Sequence, residues 1–191
     1  MLEITFLGTG TSQGIPVIGS NHPVCKSIDQ KDKRLRSSIL IKWKSYNFLI
    51  DCGPDFRYQM LRSNCNKLDG VFITHEHSDH VAGIDDLRPF YFNYGDIDIY
   101  AHNRVLLNLK SRYNYIFNND NNYPGLPVIN PIEIDNNVFN VKGLNITPIC
   151  VKHNKLQVFG YRLEDFAYIT DMKSISDSEL SKLYNLNVLV L

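Results

Sequence analysis

Nothing in the 191 residues approaches a run of about 18 apolar side chains, which excludes a membrane-spanning helix and a membrane partner. An excess of one charge is missing too. Twenty Lys and Arg balance 20 Asp and Glu, so a protein whose task is coating nucleic acid or an anionic surface is not expected. Cysteine is sparse, and Cys25, Cys52, Cys65 and Cys150 follow no disulfide spacing. The opening Met1–Gly10 carries no basic segment ahead of an apolar stretch. Together these predict reduced thiols in a cytoplasmic protein without a signal peptide. Internal repeats, heptads and Pro- or Ser-rich linkers are also lacking, so one domain over 1–191 is expected. What is present is a hydrophobic content of 43%, ample for a core and incompatible with intrinsic disorder.

Short apolar runs with β-branched or aromatic content predict strands at 2–7, 38–43, 46–50, 70–74, 97–100, 144–151, 158–163 and 166–170, with a last one over 187–191. Lys44-Ser45 reads as a hairpin turn. Helical spacing falls at 55–63, 83–92, 103–117 and 176–183, the last opening with the capping-box pattern Ser176-x-x-Glu179. Strands both follow one another and alternate with helices, which predicts an α+β fold with mixed sheets. Tyr113–Gly125 is the longest irregular piece; it reads either as a lid or as a solvated connection. The basic run Lys31–Arg36 reads either as a phosphate-contacting edge or as a solvated loop. His102 reads as a helix cap and Trp43 as half-buried packing.

The chemistry sits in one place. An apolar strand delivers the chain into His75-Glu76-His77-Ser78-Asp79-His80. At this composition such a string arises by chance in roughly one chain in two thousand. Three histidines and an aspartate within six residues are costly to desolvate unpaired, and imidazole with carboxylate suits zinc, iron or manganese.

The string resembles the signature of the metallo-β-lactamase-fold hydrolases, and the resemblance covers the whole chain. Thr5–Pro16, with Gly8, Gly10 and Gly14, is similar to the glycine-rich start of the phosphodiesterase branch. Phe48-Leu49-Ile50-Asp51-Cys52-Gly53-Pro54-Asp55 is similar to the second motif, a strand ending in an aspartate that braces the metal loop. The nearest likeness is to phosphoribosyl cyclic phosphate phosphodiesterases, with ribonuclease Z as a cousin. This implies a four-layer αββα sandwich holding two divalent ions, Zn2+ or Mn2+. It assigns His75, His77 and His153 to the first ion, Asp79 and His80 to the second, and Asp171 as the bridge, with Asp51 as structural support. The implied reaction is hydrolysis of a small cyclic or nucleotide-like phosphodiester by a metal-bridging hydroxide, whose pKa two ions bring to roughly 7. Asp79 would orient that hydroxide. The substrate-contacting residues are not assigned.

Two departures modify the expectation. Where the branch carries a cysteine cluster for an accessory structural zinc, this chain has Ser20, His22 and Cys25, so that zinc is not expected. The last metal histidine of the family would lie beyond Leu191, so the domain reads as C-terminally truncated, with a first site better completed than the second. The 191-residue form is then expected to be weak, or to be a fragment of a competent parent. The alternatives are a ribonuclease Z-like RNA 3′-end endonuclease and a non-catalytic protein holding one ion. A small anionic phosphodiester is the expected partner; nucleic acid is disfavoured by the charge balance, and a homodimer is compatible with the sequence.

Overall fold

The computed structural model of the chain describes residues 2–117 and 125–191. In the first sheet the strands lie in chain order: β1 (Leu2–Gly8), β2 (Ser38–Trp43), β3 (Tyr46–Ile50), β4 (Gly70–Phe72), β5 (Ile97–Ala101) and β6 (Ile129–Glu133). Its first two joints are antiparallel and the remaining three parallel. The β2–β3 hairpin turns at Lys44, whose φ of 55° supplies the reversal. The second sheet holds β7 (Phe139–Val141), β8 (Leu144–His153), β9 (Leu156–Leu163), β10 (Phe166–Tyr168), β11 (Ser174–Ile175) and β12 (Val188–Val190). Its one parallel joint is β10–β12, so both sheets are mixed.

The period of two along each strand decides which layer it feeds. Ile39, Ile41, Phe48, Ile50 and Phe72 face the second sheet and pack on Leu144, Ile146, Phe159, Tyr161 and Leu163. Leu40, Leu49 and Val71, one residue out of phase, face the helices. Those helices are α2 (Phe56–Ser63), α3 (Ser78–Val81), α4 (Arg88–Tyr94), α5 (Asn103–Arg112) and α6 (Asn114–Phe117), whereas α1 (Pro23–Lys26) buries no side chain and α7 (Asp177–Leu180) lies against β8 of the second sheet. Phe56, Met60, Val81, Phe90, Val105 and Leu109 form the helical half of that core. On the outer face of the second sheet, Ile149, Val151, Val158 and Ile169 are covered by Met172, Ile175, Leu183 and Leu186. The order is helix, sheet, sheet, helix, as expected, with a thin last layer. Among the described residues no helix is long and apolar enough to cross a membrane.

Local departures from the sequence reading have identifiable causes. The helix expected over 83–92 is a 3₁₀ turn at Ile84–Leu87 that feeds α4, with Pro89 in its first turn, where no amide hydrogen is needed. The expected capping box at Ser176 does not form. Ser176 Oγ pairs instead with Ser178 Oγ at 2.9 Å. Glu179, 7% exposed, accepts from the Cys150 amide at 2.7 Å and from Asn136 Nδ2 at 2.7 Å. Cys150 lies on the β8 edge between the segments paired by β7 and β11, so its amide needs a partner. Satisfying that half-buried donor outweighs a cap. His102 does cap α5, its Nδ1 accepting from the Arg104 amide. Within Tyr113–Gly125, α6 is helical, whereas residues 118–124, on which the lid reading falls, lie outside the described residues.

Candidate metal centre

The parallel strands β3 and β4 end on the same edge of the first sheet and place Asp51 beneath the loop Thr74–His80. Asp51 is fully buried and left-handed at φ 64°, which turns its carboxylate sideways into the loop. Its Oδ1 accepts from the Thr74 amide at 2.8 Å; its Oδ2 accepts from Thr74 Oγ1 at 2.9 Å and from His80 Nδ1 at 2.7 Å. The following residues clamp the loop from below. The Cys52 amide donates to the His80 carbonyl, and the Gly83 amide donates to the Cys52 carbonyl, each at 2.8 Å. Gly53 permits this approach, since a Cβ there would collide with the Asp79 carbonyl. From the second sheet the Tyr161 hydroxyl donates to the Ile73 carbonyl at 2.7 Å, and the Phe159 amide to the Thr74 carbonyl at 3.0 Å.

Two groups of metal-type ligand atoms result, each with its atoms within 4.8 Å of one another: His75, His77 and Asp171, and Asp79, His80 and Asp171. His75 Nε2 lies 3.0 Å from His77 Nδ1 and 3.6 Å from Asp171 Oδ2. His80 Nε2 lies 3.1 Å from Asp79 Oδ2 and 3.5 Å from Asp171 Oδ2. Asp171 reaches both groups because it too is left-handed, at φ 56°, beyond the end of β10. His153, on the β8–β9 hairpin, lies beside these groups and outside both. Its ring centroid is 5.4 Å from that of His77 and 6.0 Å from that of His75.

A divalent metal fits these residues on two grounds. His80 Nε2 and His153 Nδ1 are buried and make no hydrogen bond among the described residues, a state that is costly unless another partner engages them. His80 Nε2 is within ion-pair distance of two carboxylates yet off their hydrogen-bonding direction. The donor set of imidazole and carboxylate is also the one Zn2+ and Mn2+ accept.

Electrostatics are sharply divided inside the cluster. Burial, then the charge of His80, lowers the His75 imidazole to about 3. Burial opposes the charge on His80, but Asp51 and the carboxylates of Asp171 and Asp79 push it up to about 12. The neighbouring His80 cation holds Asp171 well below the usual carboxylate range. Asp79, against the effect of its burial, is lowered by His80 as well.

Around the cluster is a cavity of about 660 Å³ lined by Thr11, Ser12, His77, Asp79, His153 and Lys173, among others. Thr11, Ser12 and Lys173 were not assigned from sequence. Nothing in a short hydroxyl pair or one lysine signals a site until the fold brings them to it. The glycine-rich loop that carries Thr11 and Ser12 is fixed by Arg36, whose Nε donates to the Ser12 carbonyl at 2.8 Å and whose Nη1 pairs with Asp55 Oδ1 at 3.0 Å. Arg36 is therefore a brace, whereas Lys31, Lys33 and Arg34 line a separate cavity against Phe6–Thr9. Glu76, inside the motif, is drawn away from the cluster by Arg104 Nη1 at 2.8 Å, while Arg104 Nη2 donates to the Gln157 carbonyl. Of the residues in place of the branch's cysteine cluster, His22 Nδ1 accepts from the Val24 amide and Cys25 Sγ from the Val17 amide.

Residues 46–191, which carry the ligand cluster, match the family model for the beta-lactamase superfamily domain. The chain belongs to that superfamily, in the branch that includes the PhnP family, as the sequence resemblance indicated. The crystal structure of a diphosphatase from the PhnP family superposes with a TM-score of 0.90 at 34% identity, covering 99% of this chain and 73% of that one. A protein of Porphyromonas gingivalis named octanoyltransferase is 40% identical over 98% of this chain, which matches 38% of that protein. Ribonuclease Z of Listeria monocytogenes is 31% identical over 85% of this chain and 49% of its own length. The chain thus spans half or less of these curated relatives.

Proposed function

We propose that residues 1–191 form one cytoplasmic, metal-dependent hydrolase domain acting on a small anionic phosphodiester, cyclic or nucleotide-like. The observation that carries this reading is the pair of ligand groups sharing Asp171 in a cavity of about 660 Å³. His75 and His77 with Asp171 would hold one divalent ion, and Asp79 and His80 with Asp171 a second, with His153 beside the first. Zn2+ or Mn2+ bound there would supply Lewis-acid stabilisation of phosphoryl charge and an activated water. The chain's own residues do the rest. Asp79 borders the cavity and is held as a carboxylate by His80, so it is placed to accept a hydrogen of the attacking water and orient it. Thr11 and Ser12 offer hydroxyl donors and Lys173 a positive charge at the cavity wall, a lining suited to a phosphate. In a chain of net charge zero, attraction of the substrate falls to the site and not to a basic surface.

The PhnP-family diphosphatase supports phosphorus chemistry at this site, and the ribonuclease Z relatives support a phosphodiester as the bond. The octanoyltransferase name belongs to a protein of which this chain matches 38%, and acyl transfer is not carried over. RNA 3′-end cleavage is the second reading, favoured by the ribonuclease Z identity. Protein reloaded with Zn2+ or Mn2+ should be assayed on bis-p-nitrophenyl phosphate, a cyclic ribose phosphate and a precursor tRNA. Turnover of the small diesters that chelation abolishes and metal restores is expected. Cleavage of the precursor tRNA alone would replace this reading with the second. One ion per chain and no turnover of any substrate would overturn both in favour of a metal-binding role.

A further inference from the structure

We propose that Thr74 is a positioning residue that fixes the tautomer of His75, its hydroxyl relaying the hold of Asp51 onto the histidine of the first ligand group. The inference rests on the metal-site reading above. It follows from counting hydrogens in a closed, buried set. Thr74 is 1% exposed, and Asp51 and His75 are fully buried, so solvent does not compete.

The Asp51 carboxylate can only accept hydrogens. Its Oδ1 takes the Thr74 amide, and its Oδ2 has two neighbours, His80 Nδ1 at 2.7 Å and Thr74 Oγ1 at 2.9 Å. A threonine hydroxyl has one hydrogen, and at that distance from a carboxylate oxygen the hydrogen belongs between them. The same Oγ1 lies 3.0 Å from His75 Nδ1. Having given its hydrogen to Asp51, the hydroxyl can only accept there, so His75 carries its hydrogen on Nδ1. The opposite tautomer would turn the hydroxyl hydrogen toward His75 and leave two lone-pair-bearing oxygens facing each other at 2.9 Å in a dry interior, which is strongly unfavourable. With Nδ1 protonated, the lone pair of His75 is on Nε2, the atom that lies 3.0 Å from His77 Nδ1 and 3.6 Å from Asp171 Oδ2.

The hydroxyl is held in place from several sides. Threonine is stiff at χ1, its amide is bound by Asp51, and its carbonyl by the Phe159 amide of the second sheet. One buried carboxylate therefore orients a histidine in each ligand group: His80 directly, and His75 through Thr74. Hydrogen-bond partners of this kind raise ligand basicity and set ring orientation.

Two substitutions separate the relay from mere packing: Thr74→Val, which keeps the shape and removes the hydroxyl, and Thr74→Ser, which keeps the hydroxyl. Long-range proton–nitrogen correlation spectra of metal-free protein read the His75 tautomer, and Zn2+ titration against a chromophoric chelator reads both ions. In wild type and Thr74→Ser, His75 is expected with hydrogen on Nδ1. In Thr74→Val the affinity of the ion held by His75 and His77 should fall roughly 10- to 100-fold. Binding by Asp79 and His80 should change by no more than about threefold, since Asp51 still holds His80 directly. Thr74→Ser should restore the first ion. A wild-type His75 with hydrogen on Nε2, or a Thr74→Val protein that binds the first ion as wild type does, overturns the proposal. If Thr74→Val does not fold, the wild-type tautomer decides alone. Should His75 carry hydrogen on Nδ1 while wild type binds no Zn2+, the hydrogen-bond relay stands and the metal-site reading fails.

Discussion

Raising the pH from 6.5 to 8.5 should destabilise the metal-free protein and leave the metal-loaded protein nearly unchanged. The cause is His80, pushed from 6.5 up to about 12 in the folded chain by Asp51, Asp171 and Asp79 against its burial. A group raised on folding contributes stability that is complete below its unfolded value and is lost as pH climbs toward the folded one. Between 6.5 and 8.5 the folded chain keeps the His80 proton while the unfolded chain gives it up. One proton corresponds to about 1.4 kcal/mol per pH unit, and since the unfolded imidazole is already half deprotonated at 6.5, the two units cost roughly 2 kcal/mol. For a domain of this size that lowers the melting temperature by roughly 4–8 °C. His75 works the other way, since its folded value of about 3 lies below 6.5. Its contribution is present above 6.5 and declines as pH falls, so metal-free stability should peak near pH 6.5. An ion held by His80 Nε2 would replace its proton there, which would remove the alkaline limb and release about one proton on binding. Circular-dichroism melts of chelator-treated and Zn2+-loaded protein across pH 5.5–8.5, with calorimetric titration in buffers of different ionisation enthalpy, measure both effects. A metal-free melting temperature that is flat or rising from pH 6.5 to 8.5 would refute the reasoning.

Gly53→Ala should disrupt the loop that holds both ligand groups, because the added Cβ collides with the Asp79 carbonyl; Zn2+ stoichiometry and soluble yield should both fall. Lys173→Glu should raise KM for an anionic diester by about tenfold or more through charge reversal at the cavity wall, with Zn2+ content unchanged; an unaltered KM would remove Lys173 from the substrate path. Tyr161→Phe removes the hydroxyl bound to the Ile73 carbonyl at 2.7 Å and should cost roughly 1–3 kcal/mol in denaturant unfolding, with the Zn2+ stoichiometry of wild type.

The central strands were legible because continuous apolar runs such as Ile39-Leu40-Ile41 and Phe48-Leu49-Ile50 mark strands buried on both faces, whereas which face each residue takes is settled by the fold. The strands that periodicity missed are edge pieces. β6 contains Pro131, which is tolerated because β6 ends its sheet. β7 and β11 hold three and two residues, too few to establish a pattern. At the site, the local string from His75 to His80 was legible by composition alone. Thr74 was not, since a threonine after Val71-Phe72-Ile73 reads as one more β-branched strand residue until Asp51 is placed against it. Glu179 was misread for a related reason. Its capping-box spacing is local, whereas the Cys150 amide that claims it lies 29 residues away.

Asp51 and Asp171 show how one local device serves two purposes. Asp51 directly follows Phe48-Leu49-Ile50, Asp171 follows Ala167-Tyr168-Ile169 after one threonine, and each adopts the left-handed conformation, at φ 64° and 56°. That conformation costs a residue with a Cβ roughly 1–2 kcal/mol, and aspartate is among the side chains that tolerate it. The turn it makes swings the carboxylate out of line with the strand and toward the loop between the sheets. What separates the two is depth. Asp51 is fully buried, and both of its oxygens are taken by Thr74 and His80, which leaves it nothing to offer an ion. Asp171 borders the cavity, its Oδ2 3.6 Å from His75 Nε2 and 3.5 Å from His80 Nε2. The family resemblance separated the two roles in sequence, and the difference in depth is the physical reason: the buried carboxylate is used up in orienting histidines, while the one at the cavity is free to face an ion.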